Sequence, residues 1–188
     1  MAFQTSIDKI TDEELVQEII KSNDTHLFGL LYDRYVTIVY NKCLSFIASK
    51  EDAQDLTHDI FVKLFVKLKT FKGDSKFSTW IYAFTYNHCI NHLQREIKSH
   101  KNTFSMEDDI EDQFLEEVDD AQIFEMKTEK LFASLQQIKP EEKALLLMKY
   151  QDDLSIKEIA NLNNLGESAV KMRLNRAKSN LLLIYQKL

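Results

Sequence analysis

The chain has little that breaks a helix and little that builds a catalytic centre. Only three glycines and one proline occur in 188 residues. Sharp turns are therefore few, no strand-helix alternation is visible, and the expected fold class is all-α. Two cysteines, Cys43 and Cys89, give no disulfide framework and sit in apolar helical sequence, where a buried free thiol is expected. No apolar run reaches the ~20 residues that span a bilayer, and the N-terminus MAFQTSIDKITDEEL lacks the layout of a signal peptide. A cytoplasmic protein without membrane insertion is expected. A Gly-rich phosphate loop, a Ser/His/Asp signature and glycine-bounded paired carboxylates are all missing, so nothing points to an enzyme or a cofactor. His88, Cys89 and His92 have a spacing that zinc accepts, but no paired Cys motif offers a fourth ligand. His88 also shares a side with Phe77 and Phe84, which favours a core histidine over a metal ligand.

Net charge is −6, which at first argues against a nucleic-acid partner. Its distribution removes the objection. Residues 1–100 carry 12 basic and 13 acidic side chains, residues 101–128 carry 2 and 10, and residues 129–188 carry 10 and 7. From Ser168 to Leu188 there are five basic residues and no acidic one, the local footprint that phosphate binding needs.

That basic run ends a helix-turn-helix pattern. Ser155-Ile-Lys-Glu158 is a capping box that starts a short helix, expected to stop near Asn163-Asn164. Leu165-Gly166 supplies a turn in which glycine tolerates positive φ, and a second helix opens at Glu167-Ser168. Val170, Leu174, Ala177, Leu181 and Ile184 recur at helical spacing as its core stripe. At about 100° per residue, Ser168, Lys171, Met172, Asn175, Arg176 and Ser179 then point outward, with Arg173 and Lys178 on the flanks. A face of this kind suits a DNA major groove, although an ordinary solvated helix would also carry such charges.

The first part of the chain, about residues 10–98, reads as four helices. Thr11-x-x-Glu14 caps a short one. A long one from about Thr25 to Ser49 buries Phe28, Leu31, Tyr35, Val39 and Phe46. The third, about Glu51 to Phe71, buries Leu56, Ile60, Leu64 and Leu68 and leaves Gln54, Asp55, His58, Asp59 and Lys63 on other faces. After the loop Lys72-Gly-Asp74-Ser75-Lys76, a fourth helix begins near Phe77. Phe77, Trp80, Ile81 and Phe84 share one side, read as core, and Tyr82 and Tyr86 lie roughly opposite, read as a second packing surface. The loop and this helix would equally make a platform for unstacked bases, with Asn87 placed to read a base edge.

Residues 101–128 have too much like charge for a packed element and read as a flexible acidic linker. The helical pattern resumes from about Thr128, and Pro140 opens the helix Glu141 to Tyr150. The expected architecture is two small helical domains, 10–98 and 129–188, joined by an acidic linker over 99–128.

The block DAQDLTHDIFVKLFVKLKTFKGDSKFSTWIYAFTYNHCINHL, with LFGLLYDRYVTIVY before it, resembles region 2 of the extracytoplasmic-function sigma factors of bacterial RNA polymerase. The block IKPEEKALLLMKYQDDLSIKEIANLNNLGESAVKMRLNRAKSNL resembles their region 4. The resemblance implies a four-helix region 2-like domain and a helix-turn-helix region 4-like domain. Its implied partners are core RNA polymerase, through the β′ clamp coiled coil and the β flap, promoter DNA, and an anti-sigma factor. Asp55, His58 and Asp59 occupy the positions that dock on the clamp, with His58 where the family more often has Gln. The loop containing Lys72, Asp74, Ser75 and Lys76, together with Asn87, matches the element that captures a flipped base of the minus-ten strand. Asn91 and Gln94 stand where Asp and Arg are more usual. The second domain would read the minus-thirty-five element through Ser168, Lys171, Met172, Arg173, Asn175, Arg176 and Lys178. Arg176 would bond guanine, Asn175 adenine and Met172 a thymine methyl, while Lys171, Arg173 and Lys178 neutralise phosphate. The family's acidic linker threads toward the polymerase active centre; here it reads equally as a tether. A stand-alone helix-turn-helix regulator with a sensing domain, or an adaptor that has lost DNA binding, are the alternatives.

Overall fold

The computed structural model describes residues 10–100 and 118–188, except the side chain of His100, and every described element is helical. Residues 101–117 of the acidic stretch lie outside the described residues, whereas 118–128, expected to be unpacked linker, form a short helix with Val118, Ile123 and Met126 buried. Contacts divide the chain into two compact units, 1–89 and 90–188, with the division inside one long helix.

In the first unit, α1 (Asp12–Ser22) starts on a complete Thr11/Glu14 capping box and stops where Asn23 turns left-handed. Helix α2 (Thr25–Phe46) begins at the Asp24 cap and buries Leu31, Tyr35, Val39, Cys43 and Phe46, a three-to-four spacing that makes one continuous stripe. Helix α3 (Lys50–Lys67) starts at the Ser49 cap, buries Leu56, Ile60 and Leu64 and tightens into a 3-10 turn, Leu68–Thr70. Gly73, with φ of 81°, turns the exposed loop that leads to α4 (Phe77–His100). The first turn of α4 borrows a cap from elsewhere: the Phe77 backbone N–H donates to the Glu13 carboxylate of α1 at 2.7 Å. A net of edge-to-face rings holds the unit, Tyr35 and Phe71 on Phe77 and Phe46 on Tyr86.

The aromatic side of α4 differs from the sequence expectation. Its buried residues are Phe77, Ile81, Thr85, Tyr86 and Cys89, whereas Trp80, Phe84 and His88 are half-buried. Tyr86 is core because the Phe46 ring of α2 receives it edge-on, and His88 leaves the core to lie against Phe84. The two free thiols are buried 3.9 Å apart, Cys89 donating to Cys43.

In the second unit, α5 (Asp120–Phe124), α6 (Thr128–Leu135) and α7 (Pro140–Leu146) precede a π-helical turn, Leu147–Gln151. Pro140 sits at the start of α7, where its missing N–H costs nothing. Helix α8 (Ile156–Asn163) opens on the complete Ser155/Glu158 capping box, and α9 (Glu167–Lys187) follows. The turn between them corrects the expectation for Gly166, whose φ is −75°. The left-handed residue is Asn164, with φ of 53°, a conformation asparagine tolerates better than most side chains. Val170, Leu174, Ala177 and Leu181 bury the stripe of α9.

Candidate polymerase and promoter interfaces

On α3, packing of Leu56, Ile60 and Leu64 inward fixes what faces out. Asp55, His58 and Asp59 are all exposed. Asp59 is 3.7 Å from Lys63 one turn on, a solvated pair that leaves the carboxylate two-thirds exposed. Asp55 and His58 also edge a cleft of about 570 Å³ whose far wall is Tyr32, Val36 and Tyr40 of α2. Sequence reasoning missed the continuation of this face. Val62 and Val66 are 55% and 69% exposed, and with Asp55 and Asp59 they recur at spacings of four, three and four. The signal was present, because both valines fall opposite the Leu56-Ile60-Leu64 stripe.

Lys72, Asp74, Ser75 and Lys76 are all exposed in the loop before α4, and Asn87 is exposed nearly three turns into that helix. Beside Asn87 runs a half-buried ladder: Trp80 stacks on Phe84 at 5.4 Å and 23°, and Phe84 lies 4.2 Å from His88. Flat faces next to an exposed amide are the parts from which a binding surface for unstacked bases is made. The Glu13–Phe77 bond ties the loop's exit to α1, so the loop's end is fixed even though its side chains are solvated.

The outward face of α9 presents Ser168, Lys171, Met172 and Arg173 to solvent, Met172 being 70% exposed. Arg176 is half-exposed and its Nε lies 3.8 Å from the Glu142 carboxylate of α7. Asn175 is half-buried, and its Oδ1 is buried with no hydrogen-bond partner among the described residues. Adenine takes both ends of an asparagine amide, so in this rotamer Asn175 offers only one. Ser179, expected outward, is buried, its hydroxyl donating to the Asn175 carbonyl.

Lys178 is the largest departure. Its side chain is only 12% exposed, and Nζ pairs with Asp120 at 2.9 Å and donates to the Val118 carbonyl. Tyr150 donates to the same Asp120 carboxylate at 2.6 Å. The Tyr150 bond, first, and then the Lys178 ammonium hold the Asp120 carboxyl below its usual range, while burial and the anionic neighbour keep the Tyr150 phenol protonated. Buried Glu142 shifts the other way, because desolvation outweighs Asn180, Arg176 and Lys139. Among the described residues no cluster of His, Cys, Asp and Glu could hold a metal ion, and no helix is long and apolar enough to cross a membrane.

A helical unit with exposed acidic residues on α3 and an aromatic ladder on α4, followed by a helix-turn-helix with a basic outer face, is the construction of a nucleic-acid-binding protein. The sigma-70 region 2 family model matches residues 31–98, and the sigma-70 region 4 model matches residues 128–181. The chain is 25% identical over 174 residues to the RNA polymerase sigma-H factor of Pseudomonas aeruginosa, covering 89% of this chain and 90% of that protein. It is 23% identical to the ECF sigma factor SigW of Bacillus subtilis, covering 85% and 89%. With the ECF sigma-E factor of Escherichia coli it shares 26% identity over 91% of this chain and 92% of that one. Among solved structures, CnrH in complex with the cytosolic domain of CnrY superposes with a TM-score of 0.57 at 18% identity, covering 92% and 96%. The sigma factor RpoE from Bartonella quintana, solved with the anti-sigma factor NepR, gives 0.56 at 15%, covering 85% and 96%. The chain belongs to the sigma-70 family, in its extracytoplasmic-function group. It is an alternative sigma factor, directing transcription initiation through RNA polymerase.

Proposed function

We propose that residues 10–98 dock core RNA polymerase and open the minus-ten element, that residues 129–188 read the minus-thirty-five element, and that residues 99–128 join them. Asp55, His58 and Asp59 meet the β′ clamp. Lys72, Asp74, Ser75, Lys76 and Asn87 hold the displaced promoter strand, so that opening is driven by binding energy for single-stranded DNA. Ser168, Lys171, Met172, Arg173, Asn175 and Arg176 face the major groove, with the β flap engaging the same domain. Lys178 serves from behind, fixing α9 through Asp120. The protein acts in the cytoplasm, catalyses no reaction of its own and takes an anti-sigma factor as its regulator; the similar RpoE of Bartonella quintana was solved with the anti-sigma factor NepR.

The observation that carries this reading is the order of two independent region matches along one chain, region 2 over residues 31–98 and region 4 over 128–181. Reconstitution tests it. Core polymerase with the full chain should transcribe from a subset of promoters that core alone ignores. Failure to form a stable complex with core polymerase would overturn it.

A further inference from the structure

We infer that Glu142 of α7, a residue outside every contact surface described above, aims Arg176 at the promoter and so sets selectivity at the base pair Arg176 reads. The inference rests on the proposed base-reading role of Arg176 and deepens it.

Glu142 is 6% exposed and stands beneath the recognition helix. Its Oε1 accepts a hydrogen bond from Asn180 Nδ2 at 2.8 Å and lies 3.8 Å from Arg176 Nε. Arg176 and Asn180 are one turn apart on α9, so a single carboxylate from another helix engages two successive positions of one face. A buried carboxylate is costly unless compensated. Here the compensation is the Asn180 amide at hydrogen-bonding distance, the Arg176 cation just beyond it, and Lys139 at the start of the same helix, through its backbone N–H and its charge. The consequence for Arg176 is directional. Its side chain is 52% exposed while that of Glu142 is 8% exposed, so the arginine runs from a buried anion toward solvent. Because the guanidinium faces the anion through Nε, its remaining four N–H donors are left for acceptors such as O6 and N7 of guanine. At 3.8 Å the attraction restricts the rotamers of a long side chain without consuming a donor in a tight bond. Arginine otherwise loses its rotamer freedom on binding, and an anion that loses it beforehand pre-organises the contact.

The test uses holoenzyme assembled from core polymerase and the full chain, selected on a promoter library randomised across the minus-thirty-five element. Glu142→Gln keeps an acceptor for Asn180 and removes the charge. It should keep the thermal midpoint and helicity, yet lower base preference about 3- to 10-fold at the position that Arg176→Ala flattens, with other positions unchanged. The double variant should be no worse than Arg176→Ala alone, because the carboxylate acts only through the arginine. A merely structural Glu142 would instead weaken all positions alike and add to Arg176→Ala. Should Glu142→Gln fold poorly, Glu142→Asp, which withdraws the charge by one methylene, carries the same comparison. Full selectivity in the Glu142 variant, or additive losses in the double, overturns the inference while leaving base reading by Arg176 standing. An Arg176→Ala variant with unchanged preference overturns both.

Discussion

Lys178 Nζ lies 2.9 Å from Asp120 Oδ1 across 58 residues of chain, joining the recognition helix to the short helix inside the acidic stretch. With Tyr150 on the same carboxylate, three elements meet at one charge. A lysine so engaged is a fastener of α9, whereas Lys171 and Arg173, both exposed, retain their charge for an external anion.

The two classes of basic residue should separate in salt titrations of promoter binding. Each phosphate contact removed lowers the slope of log K against log salt by about 0.9. Lys171→Ala should show that loss with normal stability. Lys178→Ala should leave the slope near wild type and lower the denaturation midpoint instead. A full slope loss in Lys178→Ala would place its ammonium on the DNA.

Acid should weaken the same fastener, because Asp120 titrates below its usual range in the folded chain. Its contribution is complete above the ordinary carboxylate pKa and is lost as pH falls through the lowered value. The stability gap between wild type and Asp120→Asn should therefore be constant near neutrality and shrink on acidification below about pH 4. Buried Glu142 acts in the opposite sense, since a raised pKa favours the protonated fold. Comparison against Asp120→Asn cancels that contribution. Denaturant midpoints of both chains across pH 3–7 measure it, and a gap that stays constant would exclude the ion pair as its source.

Charge on the outer face of α3 should govern assembly with polymerase. Reversing Asp55 and Asp59 to Lys touches no buried group, so helicity should be unchanged while affinity for core falls about tenfold or more. Competition against the wild-type chain for limiting core polymerase measures this. Equal competition would remove α3 from the interface.

Most of the core stripe in each of α2, α3 and α9 was legible in the sequence because each has one apolar face, and a single face fixes its own orientation; Phe28 and Ile184, expected in those stripes, are half-buried at their ends. Helix α4 has two. Periodicity grouped Trp80 and Phe84 with Phe77, but Phe46 on α2 decides that Tyr86 goes inside and leaves the other rings half-covered. The turn before α9 contained two residues able to go left-handed, and only the backbone shows that Asn164 does so and Gly166 does not. On α3 and α9 the exposed positions of the candidate sites followed from helical spacing, except that Asn175, placed outward, is half-buried. Lys178 did not, since its partner lies 58 residues away and no local pattern reports it.

Strand capture should depend on Asn87. The residue is exposed beside the Trp80–Phe84 stack, so Asn87→Ala removes a polar contact without opening a cavity. Promoter binding at low temperature should persist, while permanganate reactivity of the opened region falls severalfold. A premelted template should restore part of the lost transcription. An unchanged bubble on duplex DNA would take Asn87 out of the site.

The loop before α4 should itself depend on a residue of α1. Glu13 accepts the Phe77 N–H at 2.7 Å, and Phe77 is fully buried against Tyr35 and Phe71, so the start of α4 is held by one charged hydrogen bond and a ring cluster. Removing the acceptor strands a part-buried donor, at a cost of roughly 1–3 kcal/mol. Glu13→Ala should therefore lower the denaturation midpoint and raise amide exchange in the first turn of α4, with Phe77 foremost. Because Lys72 to Lys76 are anchored by that turn, the variant should also open promoters poorly while binding core polymerase normally. Glu13→Gln keeps a neutral acceptor and should recover most of both properties. Exchange at Phe77 that matches wild type in Glu13→Ala would show that the ring cluster alone fixes the helix start, and the opening defect would then have to arise elsewhere.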